Sequence, residues 1–345
     1  ISTWNTTLAG SANDTVVLPL YSAGSYDFYV NWGDGNEDNI TSYNQSEVTH
    51  QYSSTGIYTI SITGGITGWQ FASAGDDDKI TNISQWGPLT IKNDQAFNGC
   101  SVLDISTTDS LKLINAPSFI WGSRLLAHFN GIKSMTGCDL SSWDISELTN
   151  MRGFFFGAGN ANNSGLFDAD LSNWDVSSVT GMSYMFTQTQ FSNGGSPNIS
   201  GWDVSSVKDM DNMFSTQRRY NPNAAINFAT GFNQPIGSWD VSNVEKFTQM
   251  FGYNQWFDQD IGNWDLSSAT NTDNMFAGSV GGNNYTAFNN GGSPSISGWD
   301  MSNVTQAGAM FQANSGFNQP IGSWDVSNIS NLGSMFANAS GFDQD

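Results

Sequence analysis

Within "GWDVSSVKDMDNMFS", Val207, Met210, Met213 and Phe214 fall at i, i+3, i+6 and i+7, the spacing of one apolar helix face. The spacing predicts a short helix of three turns at most, with Ser205 or Ser206 where an N-cap belongs. The "ISGWDV" ahead of it reads as a short extended segment, and stacked copies would form a parallel ladder about 4.8 Å apart. The pattern recurs. Trp-Asp stands at 143, 174, 202, 239, 264, 299 and 324, and each Trp is followed twelve residues on by Phe155, Phe186, Phe214, Phe251, Phe276, Phe311 or Phe336. A Met precedes that Phe in the last six units, and a second Phe (Phe167, Phe191, Phe232, Phe257, Phe288, Phe317) comes ahead of most of these Trp. The string "FNQPIGSWDVSN" even repeats word for word at 232–243 and 317–328.

The shortest Trp-to-Trp distance is 25 residues, and the longer ones are 28, 31, 35 and 37. All the extra length falls at two points, between Met-Phe and the second Phe and between that Phe and the next Trp. A fixed framework with free loops at a period near 25 predicts a solenoid, each unit covering its neighbour's apolar face. A WD-type propeller needs about 40–45 residues per blade, so the Trp-Asp pair is no sign of one. The Met positions, at helical spacing, read as core and not as a metal or cofactor site.

The first 70 or so residues follow another period. Tyr26, Phe28, Val30 and Trp32 alternate and stop at Gly33-Asp34-Gly35, and Tyr58, Ile60 and Ile62 alternate after a turn at Ser53–Gly56. These are half-buried strands of a small antiparallel sandwich. Residues 79–142 ("KITNISQWGPL", "AFNGCSVLDIS", "LSSWDIS") keep the apolar spacing without the full consensus and read as a degenerate start of the array.

Two resemblances rest on these strings. "VNWGDGN" with "HQYSSTGIYTISITG" looks like the core of a PKD-type immunoglobulin-like domain, which implies structural roles for Asp34 and His50. "ISQWG", "AFNGCSVL" and the tandem "WDVSSVTGMSYMF" units closely resemble the BspA-like leucine-rich repeat surface proteins. The resemblance implies a surface-exposed adhesion or recognition module with no family-wide catalytic residue. The expected architecture is therefore mostly β and repeated. A PKD-like β-sandwich spans 1–74, degenerate first repeats 75–142, and a leucine-rich-repeat-type solenoid of strand-plus-helix units 143–345, with the C-terminus cut within a unit.

Charge narrows the partners. The net charge of −21, with 31 Asp and Glu against 10 Lys and Arg, disfavours nucleic acid and anionic membrane surfaces. It suits a soluble chain in a saline, extracellular setting. No run approaches the roughly 18 apolar residues of a membrane span. Cys100 and Cys138 read as buried thiols or one disulfide, and with only His50 and His128 beside them metal ligation is not indicated.

Three sets of residues carry candidate chemistry. The Trp-Asp carboxylates would stack in a column, either accepting backbone N–H in "DVSS" turns or holding Ca²⁺. Asp168, Asp170, Asp258 and Asp260, with the terminal Asp343 and Asp345, form pairs that could bind Ca²⁺ or hydrolyse glycosides. The same positions read "FNQP" in two other units, which favours solvated turns. Arg218, Arg219 and Tyr220 in the insert after Phe214 either contact an anionic glycan or a protein, or fold against the next unit. No nucleophile–base pair or phosphate loop stands out, and the chain is read as non-catalytic. The expected function is adhesion or recognition of a glycan or protein on a host or neighbouring cell, through the inserts. The alternative is self-assembly into a virion, filament or surface layer.

Overall fold

A computed structural model of the chain describes residues 1–93, 95–114, 140–155, 170–189, 191, 198–216, 231–279, 285–292 and 296–344. Contacts divide it into two compact units. One comprises residues 1–148 with 154–174, the other 149–153 with 175–345.

The first unit is built on strands β1 (Ser2–Asn5), β2 (Thr15–Val17), β3 (Leu20–Asn31), β4 (Glu37–Ile40), β5 (Thr49–Gln51), β6 (Ile57–Trp69), β7 (Ile80–Ile83), β8 (Leu89–Ile91), β9 (Asp104–Ile105), β10 (Lys112–Ile114) and β11 (Asp144–Glu147). Along β3 the alternation places Tyr26, Phe28 and Val30 in the core, and Trp32 follows them. The long β6 pairs antiparallel with β1 and β3, and parallel with β8. Where β3 and β6 approach at Gly64 (φ 115°), a Cβ would lie 2.5 Å from the Asp27 carbonyl, so only glycine fits. A nine-stranded sheet results, with the parallel run β11-β10-β8 at one end and the parallel pair β7-β9, antiparallel to β1, at the other; β2 and β5 form a separate ribbon. Every pairing within residues 1–74 is antiparallel, and parallel pairs enter only with β8 to β11.

The ribbon is held to this sheet by a buried charge. Lys79, fully buried, donates from Nζ to the carbonyls of Ala12 (2.8 Å), Thr15 (2.8 Å) and Ser11 (3.0 Å). The Asp76 carboxylate, 3.7 Å from Nζ, accepts the N–H groups of Ser11 (2.6 Å) and Val17 (2.7 Å). Such a pair survives burial because each group keeps hydrogen-bond partners in place of water.

In the second unit the expected strand-plus-helix repeats are overturned. Among the described residues there is no α-helix, and "ISG" at 199–201 and 296–298 is a 3₁₀ turn, not a strand. The residue ten after each Trp explains why. Gly153, Tyr184, Asn212, Gln249, Asn274, Ala309 and Ser334 all have φ between 53° and 62°, left-handed backbone that breaks a right-handed helix. The chain forms successive tight turns instead, such as Met213 N–H to the Met210 carbonyl (3.2 Å) and Met250 N–H to that of Phe247 (3.0 Å).

The amides between those turns donate to the next unit. Phe247, Gln249, Phe251 and Tyr253 give their N–H to the carbonyls of Asn271, Asp273, Met275 and Ala277, at 2.6–2.9 Å. The same four positions do so for the units of Trp174, Trp202, Trp264 and Trp299. A fifth bond runs back, as from Thr270 N–H to the Glu245 carbonyl (2.9 Å). Single parallel bridges link Asn150, Gly181, Asp209, Lys246, Asn271, Gln306 and Asn331 in turn. The parallel contact therefore lies in the segment expected to be helical. This geometry is neither a leucine-rich repeat nor a strand-plus-helix solenoid.

Side chains stack in step with the backbone. Phe186, Phe214, Phe251, Phe276, Phe311 and Phe336 form a file with neighbouring ring centres 5.5–5.7 Å apart and planes within 11°. Each also lies on the second Phe of its own unit, as Phe214 does on Phe232 at 3.6 Å. The indoles of Trp239, Trp264, Trp299 and Trp324 donate to the carbonyls of Ile199, Ile236, Ile261 and Ile296 in the preceding unit, at 3.0–3.1 Å.

Candidate functional site

The Trp-Asp carboxylates form the most regular exposed polar feature of the second unit. Oδ1 of Asp175, Asp203 and Asp240 accepts both the N–H (3.1 Å) and the hydroxyl (2.6–2.7 Å) of the serine two residues on. Asp265, Asp300 and Asp325 accept the corresponding serine N–H at 2.9–3.0 Å. These are Asx-turns, which exchange solvent for local donors. The serine hydroxyl first, then the serine N–H, holds Asp203, Asp240 and Asp300 below the ordinary carboxylate range. Neighbouring units feel one another, since the charge of Asp203 works against that of Asp240, and Asp325 against Asp300.

The Asp258 and Asp260 carboxylates prove to be rungs. Asp258 Oδ1 accepts the N–H of Asn289 (2.7 Å) and of Gly291 (2.9 Å) in the next unit, while its own N–H donates to Asn233 Oδ1 (3.0 Å). Asn289 Oδ1 accepts from Asn318 N–H (2.9 Å), and Asn318 Oδ1 from Asp343 N–H (3.0 Å). Asn and Asp exchange for one another here because the rung needs only an oxygen acceptor. Asp260 accepts Gly262 N–H (3.0 Å) and the Asn290 amide (3.2 Å), and Asp170 accepts both Ser172 N–H (2.9 Å) and its hydroxyl (2.7 Å). Oxygens already facing donor hydrogens are poorly disposed toward Ca²⁺. Among the described residues no group of three or more His, Cys, Asp or Glu could hold a metal ion.

The remaining candidates separate. Arg218, Arg219, Tyr220, Asp168, Asp345, Cys138 and His128 lie outside the described residues. His50, on β5, shares a 2.8 Å hydrogen bond with Asp34 and stacks on Trp32 with ring centres 4.7 Å apart. Cys100 is free and buried, and burial first, then Asp77 and Asp78, pushes its thiol up, away from reactivity. Two residues in no candidate set, Trp69 and Trp86, carry buried indole N–H groups with no acceptor. They stand in runs that read as ordinary core, so nothing in the sequence singles them out.

The repeats that carry the carboxylate column also carry a family match. The DUF285 model, described as a Mycoplasma protein of unknown function, matches residues 123–229, 222–291 and 283–345, more than half of the chain. The chain belongs to the DUF285 family. This corrects the BspA-like leucine-rich repeat resemblance, since the matched DUF285 segments contain every Trp-Asp unit and no α-helix among their described residues. No curated protein and no solved structure matches the chain, so the PKD resemblance finds no counterpart there either.

Proposed function

We propose that this DUF285 chain is a non-catalytic extracellular surface protein that adheres to, or recognises, a glycan or protein on a host or neighbouring cell. The observation that carries the reading is the division of labour in the repeats. Framework residues, including the Asp258 and Asp260 carboxylates that resemble a catalytic pair, are bonded into the stack. Length varies only at the inserts. A scaffold that fixes its backbone and leaves loops free is how recognition surfaces are commonly built.

The insert after Phe214, with Arg218, Arg219 and Tyr220, is the contact we assign first. Replacing all three by Ala should abolish retention on a glycan array or on whole cells while leaving the far-UV spectrum unchanged. Undiminished retention sinks that assignment.

A second reading, a structural part of a virion, filament or surface layer, draws support from the way successive repeats bond edge to edge in one direction, as Phe251 N–H does to the Met275 carbonyl (2.9 Å). Sedimentation that stays monomeric at every concentration would count against it.

A further inference from the structure

In the first unit the segment 95–101 lies back against Phe71, Ala72 and Ser73. Their N–H groups reach the carbonyls of Ala96 (3.2 Å), Gln95 (3.3 Å) and Asn98 (2.8 Å). Asn98 and Gly99 stand at this contact. Gly99 has φ 95°, and a Cβ there would lie 2.6 Å from both Ser73 Cα and Asp77 Oδ2, so only glycine fits. The Asp77 carboxylate thus lies against Gly99. Burial first, then the charge of Asp78, pushes its pKa above the ordinary carboxylate range.

The Asn98 side chain is held at one end only. Its Oδ1 accepts the Ser73 hydroxyl at 2.8 Å. Its Nδ2, like the Gly99 N–H, has no acceptor among the described residues. Both residues are half-buried, so solvent reaches them. Asn290-Gly291 is the opposite case. Asn290 is fully buried, its Oδ1 accepts Ile261 N–H (2.8 Å), and its Nδ2 donates to Asp260 (3.2 Å). The other two Asn-Gly pairs, at 130 and 193, lie outside the described residues.

We propose that Asn98 is a site of self-modification, at which the Gly99 nitrogen attacks the Asn98 side-chain amide and converts it to aspartate and isoaspartate. Gly99 N bonds to Asn98 Cγ, and Asp77 carries the Gly99 amide proton to Nδ2, which leaves as ammonia. Negative charge develops on Oδ1 in this step, where the Ser73 hydroxyl already donates. Water then opens the cyclic imide at either carbonyl. One opening gives aspartate, the other isoaspartate, with the backbone routed through the side chain. Glycine assists because no side chain shields its nitrogen.

The test is peptide mapping by mass spectrometry after the full chain has been kept at neutral pH, native and in guanidinium. In the native chain the Asn98 peptide should turn into its aspartate and isoaspartate forms at least as fast as in guanidinium. The Asn290 peptide should stay intact in the native chain and convert only in guanidinium. Ser73→Ala and Asp77→Asn should each slow native conversion at Asn98 severalfold and leave the rate in guanidinium unchanged. Conversion of Asn98 that is slower in the native chain than in guanidinium, no faster than that of Asn290, or indifferent to both substitutions overturns the proposal. Should the variants fail to fold, the two wild-type comparisons decide it alone.

Discussion

A carboxylate that accepts bonds from a serine two residues away holds them more weakly once it takes up a proton. Asp203, Asp240 and Asp300 have folded pKa values depressed below 3.8, so their contribution is fully present above that value. It is lost as pH falls through the depressed value. Asp211 has the opposite sign: burial first, then the charge of Asp209, raises it. Between 3.8 and that raised value the folded state holds the proton more tightly, so stability falls as pH rises, and at neutral pH the ionised group is a net burden. We therefore expect Asp211→Asn, which still offers an oxygen to Thr248 N–H (2.7 Å), to raise the melting temperature at pH 7. The gain should vanish below pH 3.8. Asp203→Asn should instead blunt the loss of stability on acidification below that pH. Thermal unfolding followed from pH 7 to pH 2.5 checks both. The Asx-turns were legible in "WDVSS", because the motif is local. The rung made by Asp258 was not, because its donors, Asn289 and Gly291, lie on the far side of an insert.

A turn of the second unit stands on its left-handed tenth residue, and that position is where the sequence misleads. The i, i+3, i+6, i+7 spacing is produced equally by a helix and by successive three-residue turns with a left-handed break. The sequence could separate them only through residues that favour φ > 0. The position holds Gly153, Asn212 and Asn274, but also Tyr184, Gln249, Ala309 and Ser334, which carry no such signal. Neighbouring units impose the conformation, since Ala309 N–H reaches the Gly333 carbonyl (2.8 Å) only from it. Ala309→Gly should consequently stabilise the protein by up to about 1 kcal/mol, and Ala309→Val should cost roughly 1–2 kcal/mol, as judged by urea midpoints. A helix would give the opposite order for glycine. The alternating strands of the first unit were legible for the converse reason, as Tyr26, Phe28 and Val30 sit on one face whatever the neighbouring strand is.

For the molecule as a whole, the second unit behaves as a series of equal junctions, whereas the first depends on one sheet with partners far apart in sequence. Phe251→Ala, at a ring touching Phe214, Phe257 and Phe276, should cost about 3–5 kcal/mol by calorimetry or denaturant titration. The half-buried Phe336 should cost less when truncated. Deletion of residues 239–263, one full 25-residue period, should leave a folded chain. The amides at Met210, Asn212, Phe214 and Thr216 would then meet the carbonyls at Asn271, Asp273, Met275 and Ala277. Deletion of residues 239–251 breaks that register and should unfold the unit, which limited proteolysis distinguishes. The junction bonds have one further consequence. Four of every five point the same way along the series, so the units carry an arrow. A unit inserted the wrong way round would set hydrogen against hydrogen at one junction and oxygen against oxygen at the other, so the series can be lengthened or shortened only by units that keep its direction.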